Sequence, residues 1–397
     1  MRVAIAGAGA AGCFCAIELK RRRPDAEVVV FESGRRPLAK VAVTGGGRCN
    51  LTNTFAGIRS LAEAYPRGER LMKRVFRTFN HEDTFNWFTA EGIDLVIQDD
   101  ECIFPASQDA MQIVRLLCRR MRELGVDVVT GTRIDSVKTL LEEYDCVVVT
   151  VGGIPRESGY SLLEGLDLET IPPVPSLFTF NLPDSPVRSL MGTVVEKAGV
   201  SLAGTRFKAG GPLLVTHWGM SGPAILKLSS YAARHLAEHS YEATLVVNWL
   251  DSPEQEAKSL LESIASANSG KMVANAHPED IPSRLWEYLV GKCGVREDAK
   301  WAELGGKGFN RLSAALVSDQ YRICGKSRFK EEFVTCGGVA LSEISYKTLE
   351  CKKHPGLFFA GEALDIDAIT GGFNLQAAWT TGYVVAKSLS ESYGDGD

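Results

Sequence analysis

The sequence predicts an α/β fold in which two separated stretches of chain build one parallel-sheet domain around a third, different stretch. Three observations support this prediction. Residues 1–32 follow the order strand, glycine turn, helix, strand, acid. Residues 146–151 read as a wholly apolar strand that two glycines end, and residues 356–389 again place a strand and glycines before a helix. Strands of this apolar kind are typical of parallel sheets, whose carboxyl ends meet at one edge.

The first stretch has the glycine fingerprint of a dinucleotide-binding unit. Residues 3–6 read as a buried strand, and Gly7, Gly9 and Gly12 then give G-x-G-x-x-G at the start of a helix. The first glycine makes the tight turn, the second lets a pyrophosphate approach the backbone, and the third lets the helix pack against the sheet. The helix start adds unpaired N–H groups for the phosphates. The alternative is a glycine-rich turn in some other α/β protein.

An acidic residue, Glu32, ends the second strand twenty residues after Gly12. At this distance a carboxylate accepts hydrogen bonds from the hydroxyl groups of an adenosine ribose. The same negative charge repels a 2′-phosphate. The site is therefore predicted to prefer FAD or NAD over NADP.

The loop after Glu32 contains three consecutive glycines and a polar cluster. The glycines at 45–47 let the backbone lie against a flat or charged ligand, and Arg48, Asn50 and Thr52 follow them. Because this loop directly follows the ribose-binding acid, it is predicted to pass over the bound nucleotide. The alternative is a flexible surface loop.

Composition and charge restrict the class of protein. The chain has 397 residues, 45% of them hydrophobic, which is enough for a large core and two domains. Its formal net charge of -5 favours neither nucleic acid nor an anionic membrane as partner. No stretch reaches the roughly 20 apolar residues of a membrane-spanning helix. The ten cysteines show neither C-x-x-C nor zinc spacing, so we expect a cytoplasmic protein with reduced thiols and no metal.

A segment of different character interrupts the nucleotide-binding domain. Composition changes at the prolines of residues 171–175, and from 187 to 326 short antiparallel strands and helices follow without a glycine fingerprint. Residues 1–186 and 327–397 are therefore predicted to form the two parts of an FAD-binding domain, and 187–326 an insert on the substrate side. Before this break, residues 132–137 are predicted to begin a small β-meander.

The last stretch supplies a second glycine-rich turn in front of a helix. Residues 357–360 read as a buried strand, Gly361 allows a turn at its end, and Glu362 is placed to accept hydrogen bonds from ribityl hydroxyls. Gly371 and Gly372 precede the last helix, whose N–H groups would stabilise the negative charge of a reduced flavin. In combination with the first fingerprint this pattern predicts FAD. Taken alone, the two glycines would be an ordinary helix cap.

Five motifs together resemble the BaiN-like flavoproteins, a family of NAD(P)/FAD-dependent oxidoreductases. The resemblance spans nearly the whole chain. It implies a glutathione-reductase-type, Rossmann-like FAD-binding domain that is split by an insert with a β-barrel and a helical part. The motifs are VAIAGAGAAG at 3–12, KVAVTGGGRCNLTN at 40–53, THWGMSGPAIL at 216–226, VTCGGV at 334–339 and GLFFAGEALDIDAITGGFNLQAAWTTG at 356–382.

The same resemblance implies a set of contacts to a tightly bound FAD. One departure concerns the loop after Gly153, where the family has a Thr-Gly-Ser-Thr-Gly-Asp-Gly-like sequence and this chain has the shorter IPRESGY at 154–160. The implied contacts are Gly7, Gly9, Ala10, Ala11, Gly12, Glu32, Lys40, Gly45, Gly46, Gly47, Arg48, Asn50, Thr52, Ile134, Thr150, Gly152, Gly361, Glu362, Asp365, Gly372, Phe373, Asn374 and Gln376.

By this resemblance we expect a reductase in which NADH or NADPH reduces FAD. The reduced flavin would then pass hydride to an activated C=C or similar acceptor, with steroid or bile-acid enones as candidates. No second G-x-G-x-x-G is present, so the nicotinamide would be a transient co-substrate. The alternatives are a flavin oxidase of small amines or ketones, an FAD-dependent RNA-modifying enzyme and a non-catalytic FAD-binding protein. The acidic charge balance disfavours RNA, so the expected partner is a small molecule.

Three residues are candidates for a catalytic role. Arg48 would stabilise a flavin or substrate anion. Cys49, beside the glycine loop, is either a reactive thiol or a packing residue. His217, in a turn of the insert, is either a proton donor or a structural histidine. Asp365 and Asp367 follow the predicted flavin contact Glu362. For either of them, the alternative to a role at the flavin is that of a solvated loop charge.

Overall fold

A computed structural model describes residues 1–325 and 334–392, which fall into two compact units. The first unit lies within Met1–Pro175 and Val334–Asp397, and the second within Ser176–Phe333. The predicted end of the insert, between residues 326 and 327, lies outside the described residues. The division of the chain into an insert at 187–326 and two flanking parts stays a prediction. Among the helices of the described ranges, none is long and apolar enough to cross a membrane.

The first part of the chain mixes strands and helices, the second unit has mostly strands followed by helices, and the described chain ends with a long helix. Up to residue 176 the chain forms β1 (Arg2–Ala6), α1 (Ala10–Arg22), β2 (Glu27–Glu32), α2 (Thr44–Gly47), β3 (Thr52–Asn53), α3 (Leu61–Ala64), α4 (Glu69–Val75), α5 (His81–Ala90), β4 (Leu95–Ile97), β5 (Cys102–Pro105), α6 (Ala110–Glu123), β6 (Asp127–Thr130), α7 (Val137–Glu143), β7 (Cys146–Val149) and β8 (Thr170–Ser176). The second unit contains β9 (Phe180–Asn181), β10 (Val194–Leu202), β11 (Lys208–Val215), β12 (Gly219–Ser221), α8 (Pro223–Tyr231), α9 (Ala233–Glu238), β13 (Glu242–Asn248), α10 (Glu254–Ala267), α11 (Ser283–Lys292), α12 (Gly305–Val317) and β14 (Asp319–Cys324). The chain then returns to the first unit with β15 (Val334–Val339), β16 (Leu357–Phe359) and α13 (Phe373–Ser392).

A five-stranded sheet in the order β16-β7-β1-β2-β6 forms the centre of the first unit. All four pairings within it are parallel, so the carboxyl ends of its strands lie at one edge. Residues 3–6 of β1 and 146–149 of β7 are apolar and almost completely buried, as central strands of a parallel sheet require. The α/β prediction is confirmed, including the β16 strand that comes from the far end of the chain.

The first and last helices, α1 and α13, pack against each other beside this sheet. A Cβ atom at Gly382 of α13 would lie 2.6 Å from the Ala11 carbonyl oxygen, so this close approach requires glycine. Aromatic rings extend the contact. Phe14 lies 4.8 Å from Trp87 and 5.5 Å from Trp379 between ring centres. The packing places the start of α1, which follows the glycine turn, against the middle of α13.

The second unit is built on a six-stranded antiparallel sheet in the order β14-β13-β10-β11-β12-β9. Its two outer strands, β14 and β9, approach each other: the Asn181 side-chain amide donates a hydrogen bond to the Cys324 carbonyl at 3.2 Å. Helices α10, α11 and α12 complete the unit, and Trp249, Trp286 and Trp301 are buried in its core. This near-barrel with a helical part is the architecture that the sequence resemblance implies.

Three local predictions differ from the structure. Residues 132–137 do not begin a β-meander, since Ser136 accepts the Thr139 N–H at 3.2 Å and thereby caps the start of α7. The sequence predicts one helix from about residue 223 to 236, but the structure interrupts it at Ala232, which separates α8 from α9. The sequence predicts no helix over residues 305–317, where the structure forms α12, because the glycine-rich start GGKG at 305–308 is typical of a loop.

Candidate cofactor site

The glycine turn after β1 lies at the carboxyl edge of the parallel sheet. Gly7 has a φ of +112°, and a Cβ atom there would come within 2.9 Å of the Val151 Cα. A Cβ atom at Gly12 would collide with the Gly7 carbonyl and lie 2.5 Å from the Thr150 hydroxyl. At Gly9, by contrast, no atom of the described residues lies within 4 Å of the Cβ position. Two of the glycines are therefore required by packing, whereas Gly9 leaves space on the side where a ligand would approach.

Thr150, at the end of β7, fixes this turn. Its hydroxyl lies 2.8 Å from the Gly7 carbonyl oxygen and 3.1 Å from that of Ala6. Its backbone N–H also donates to the Ala6 carbonyl at 2.8 Å. Thr150 is 4% exposed, so its hydrogen bonds fix the turn from the buried side.

The carboxylate of Glu32 is oriented at the end of β2. Its Oε1 accepts the Gly34 N–H at 2.7 Å and its Oε2 accepts the Ala8 N–H at 3.1 Å. The chain after β6 reaches the same corner, since the Thr132 N–H donates to the Glu32 carbonyl at 2.9 Å. Ile134 follows two residues later and is half-buried. The predicted adenosine contacts thus come from β2 and from the segment after β6.

The three consecutive glycines form a tight turn, α2, rather than an extended loop. Gly45, Gly46 and Gly47 have φ values of 57°, 69° and 84°, a left-handed conformation that strains any residue with a side chain. A Cβ atom at Gly46 or Gly47 would meet no atom of the described residues within 4 Å. Backbone conformation rather than crowding therefore requires these glycines, and the space beside Gly46 and Gly47 lets a ligand approach their backbone.

Arg48 and Cys49 follow this turn in different environments. Arg48 is exposed, and its guanidinium lies 4.5 Å from the centre of the Phe104 ring while Nε donates to the Gly45 carbonyl at 3.1 Å. Cys49 is fully buried with a φ of 64°. Burial raises the pKa of its thiol to about 12, so the thiol stays protonated at neutral pH. This environment favours the packing role for Cys49.

An ion pair joins the early and late parts of the first unit. Lys40 Nζ lies 3.5 Å from Glu362 Oε2, and Oε1 of the same carboxylate accepts the Thr335 N–H at 2.7 Å. A Cβ atom at Gly152 would lie 3.8 Å from the Lys40 ammonium, and one at Gly153 would lie 2.5 Å from Glu362 Oε1. Thr335 and Gly153 contact Glu362 but are absent from the implied set of contacts, although Thr335 stands in the VTCGGV motif and Gly153 follows the implied contact Gly152.

The Gly371-Gly372 turn contacts the residues that follow the three glycines. A Cβ atom at Gly372 would lie 2.6 Å from the Thr52 carbonyl carbon, and φ is 87°. In the orientation that satisfies both neighbours, the Asn50 amide nitrogen donates to the Thr52 carbonyl at 2.9 Å and its oxygen accepts the Gly372 N–H at 3.2 Å. Asn50 therefore connects two glycine-rich turns that are more than three hundred residues apart in sequence.

Inside the start of α13, polar side chains are satisfied by the protein. Gln376 is completely buried, its Oε1 accepts from the Thr52 hydroxyl at 2.5 Å, and its Nε2 donates to the Thr380 hydroxyl at 2.9 Å. Phe373 is 3% exposed. The side chains of Thr52, Phe373 and Gln376 are used for internal packing and hydrogen bonds, so they position α13. Any contact of theirs with FAD stays a prediction.

The loop between β16 and α13 is tied down by backbone and amide contacts. The Asn374 side chain accepts the Ala368 N–H at 2.9 Å and donates to the Ala368 carbonyl at 3.0 Å. The Asp365 N–H donates to the Val339 carbonyl at 3.0 Å. Gly361 has a φ of 67°, and its Cβ position lies 3.0 Å from the Ala11 Cβ of α1. This loop therefore lies next to the helix whose N-terminus, at Ala10, follows the first glycine turn.

The alternative that Asp367 is a solvated loop charge is wrong. Asp367 is 0% exposed and pairs with Arg67 through both carboxylate oxygens, with Arg67 Nε donating to Oδ1 at 2.5 Å. Burial opposes the charge of Arg67, but the hydrogen bonds and charge of Asp367 outweigh it and raise the pKa of the guanidinium. The partners are 300 residues apart, so no local pattern could indicate the pair.

His217 belongs to the second unit. It is exposed in the turn between β11 and β12, and its carbonyl accepts a hydrogen bond from Arg188 Nε at 2.7 Å. Its ring lies against that of the neighbouring Trp218. Its catalytic role stays a prediction.

The residues of the first unit fit FAD. The space at Gly9 and the N-terminus of α1 suit a pyrophosphate, and the oriented carboxylate of Glu32 suits a ribose. The left-handed turn at 45–47 and the Gly371-Gly372 turn both lie against Asn50, and their backbone without side chains suits the close approach of a flat flavin ring.

Comparison with known proteins gives matches along nearly the full length. The HI0933-like protein Rossmann domain matches residues 1–388. The 3-dehydro-bile acid delta(4,6)-reductase of Clostridium scindens is 28% identical over 418 residues, covering 98% of this chain and 99% of that protein. Ribosomal RNA dihydrouridine synthases of Haemophilus influenzae and Escherichia coli are 27% and 28% identical, each over 97% of this chain and over 98% and 97% of their own lengths. The chain is a member of the HI0933-like Rossmann-domain family, which confirms the resemblance in its five motifs.

Proposed function

We propose that this protein is an FAD-dependent oxidoreductase that uses NADH or NADPH to reduce a carbon–carbon double bond activated by a carbonyl group. The observation that carries the proposal is the meeting of two glycine-rich segments, from opposite ends of the first unit, at one edge of a parallel sheet. Ligands bind at this edge in open α/β sheets. The family membership supports the same assignment.

Each part of the site has a role toward FAD. The backbone at Gly9 and the start of α1 would hold the pyrophosphate, and Glu32 would bind the adenosine ribose. Glu362 and Lys40 would hold ribityl hydroxyls. The N-terminus of α13, behind Gly372, would stabilise negative charge at the pyrimidine end of the ring. Bound FAD supplies the hydride chemistry, while these residues orient it.

The chemistry named for the relatives supports the type of acceptor. One relative is a delta(4,6)-reductase of a 3-dehydro bile acid, and two others form dihydrouridine in ribosomal RNA. Both products arise when a C=C next to a carbonyl is saturated. We therefore assign the acceptor by its chemical class, an enone or a uracil-like ring, and we propose the steroid-type enone first.

Reduction of the bound flavin is the first test. Tag-free protein would be loaded with FAD, and NADH and NADPH would be compared as donors without oxygen by following the flavin absorbance. We expect one of them to bleach the flavin and a 3-oxo-4-ene steroid to restore its colour. Protein that stays colourless with excess FAD would refute the cofactor, and a flavin that neither nucleotide reduces would refute the reductase. Hydrogen peroxide formed from an amine or ketone without NAD(P)H would instead support an oxidase.

A second acceptor, uridine within RNA, is favoured by one surface of the first unit. Arg70, Lys73, Arg74 and Arg77 are all exposed, and their spacing places them on one face of α4 and the turn after it. Arg74 and Arg77 also line a cavity of about 250 Å³ together with Lys347. Such a cationic face matches an RNA backbone despite the net negative charge of the chain.

Binding and activity distinguish the two acceptors. Unmodified ribosomal RNA would be titrated at several salt concentrations with wild-type protein and with the charge-reversed variant Arg74→Glu/Arg77→Glu. If RNA is the acceptor, affinity falls steeply with salt, the variant binds more weakly, and the steroid does not reoxidise the flavin. Equal RNA affinity of the two proteins would remove the RNA proposal and leave the small-molecule enone.

A further inference from the structure

Two histidines and a glutamate form a cluster at the C-terminal end of α9 in the second unit, outside the residues assigned to FAD. His235, Glu238 and His239 stand in the sequence HLAEH, and one ligand atom of each lies within 4.8 Å of the others. Residues at positions i, i+3 and i+4 share one face of a helix, so the three side chains point the same way. Two imidazoles and one carboxylate are a ligand set that zinc accepts in proteins.

The hydrogen bonding of His239 leaves a nitrogen free to bind metal. Its Nδ1 lies 2.8 Å from the His235 carbonyl oxygen. Because a carbonyl oxygen only accepts, Nδ1 carries the hydrogen, and Nε2 keeps its lone pair. A backbone carbonyl that orients an imidazole in this way is the usual outer partner of a metal-bound histidine. The ring of His235 lies alongside, with 4.2 Å between the ring centres.

The backbone under the cluster is firmly held. Ala233 and Leu236, on the opposite face of α9, are 0% exposed. The Leu236 N–H donates to the Ala232 carbonyl at 2.8 Å, and the Tyr241 N–H donates to the Leu236 carbonyl at 2.7 Å. The helix therefore cannot rotate freely, whereas the three side chains are half-buried or exposed and open to an ion from solvent.

We propose that His235, Glu238 and His239 bind one divalent transition-metal ion of the zinc type, with water completing the coordination. Zinc–nitrogen and zinc–oxygen bonds of about 2.0–2.2 Å require the ligand atoms to move closer together than the present span. Small rotations of the exposed side chains achieve this without a change in the backbone. The ionised carboxylate offsets part of the ion's charge, which a pair of histidines alone does not do.

Calorimetric titration with zinc chloride tests the site. Tag-free, FAD-loaded, full-length protein would be treated with a chelator, dialysed and titrated. We expect one ion per chain in the wild type and a loss of affinity of about tenfold or more in His239→Ala and in His235→Ala, since even outer partners contribute that much. Glu238→Gln should weaken binding less. His277→Ala is the matched control, because the His277 ring nitrogens contact Pro278 and Ser283 and lie outside the cluster.

Two outcomes would overturn the proposal. One is a wild-type protein that shows no saturable uptake of zinc. The other is a double variant His235→Ala/His239→Ala that binds zinc as tightly as the wild type, which would assign the ion to other groups such as the half-buried thiols of Cys118 and Cys324. Circular dichroism of each variant would show that the exposed substitutions leave the fold intact. Flavin reduction does not depend on this site and would be unchanged in every variant.

Discussion

The substitution Gly9→Ala separates cofactor binding from folding. Gly9 has φ of -84° and ψ of -168°, an extended conformation that alanine adopts without strain. No atom of the described residues lies within 4 Å of the new Cβ. The free energy of unfolding of the apo-protein should therefore change by no more than about 0.5 kcal/mol.

The same methyl group would stand where a pyrophosphate has to approach the backbone. Displacing the pyrophosphate from one charge-assisted hydrogen bond costs about 1.5–3 kcal/mol, which corresponds to a Kd for FAD that is about 10- to 150-fold higher. Titration of apo-protein with FAD, followed by quenching of the flavin fluorescence, measures this change. Urea unfolding of the apo-protein measures stability independently.

Gly12→Ala is the matched control from the same turn. Its Cβ would collide with the Gly7 carbonyl and lie 2.5 Å from the Thr150 hydroxyl, so the helix has to move. We expect a loss of stability of about 1–3 kcal/mol or more, together with lost FAD binding. If Gly9→Ala bound FAD as tightly as the wild type, the pyrophosphate would not cross Gly9 and the orientation inferred for the cofactor would be refuted.

Three further substitutions and modifications test other parts of the first unit. Glu32→Ala should weaken FAD binding by about 1.5–3 kcal/mol, as measured by fluorescence titration, whereas Glu27→Ala at the exposed start of the same strand should have no effect. Arg67→Ala should lower the free energy of unfolding by about 3–5 kcal/mol in urea titrations, because it removes the guanidinium that pairs with both oxygens of the buried Asp367 carboxylate. Cys49 should resist alkylation in the folded protein at pH 8, as peptide mapping would show, because burial raises the pKa of its thiol to about 12.

Each of these expectations has a contradicting result. Equal FAD affinities of the two glutamate variants would show that Glu32 does not bind the ribose. A stability change below about 1 kcal/mol for Arg67→Ala would mean that water or another cation compensates Asp367. Rapid labelling of Cys49 under native conditions would reopen its role as a reactive thiol.

Features with a local chemical cause could be predicted from the sequence. Gly7, Gly9, Gly12 and Glu32 follow one another in a single strand–turn–helix–strand unit, and the structure forms that unit with the expected parallel pairing. The second glycine turn, before α13, could also be predicted from the sequence, because a glycine pair in front of an apolar helix is a local signal. The predicted contacts of these residues with FAD remain to be tested.

Features that depend on distant residues could not be predicted. Arg67 pairs with Asp367 across 300 residues, and neither sequence neighbourhood contains a hint of the other. The Thr335 N–H orients Glu362 through the return of the chain to the first unit. In α12, tertiary packing of Leu312 and Leu316 in the core overrides the poor helix propensity of the glycines at its start.

The contact of Gly382 with Ala11 has a consequence for biosynthesis. The first turn of α1 leaves the ribosome early, but the helix that covers it is translated only after the whole second unit. A nascent chain that has reached residue 325 thus has Gly9 and Glu32 but lacks Glu362 and Gly372. On the proposed roles of Glu362 and Gly372 toward FAD, capture of the flavin would be a late event, and until then the uncovered flank of α1 would be a surface on which a chaperone acts.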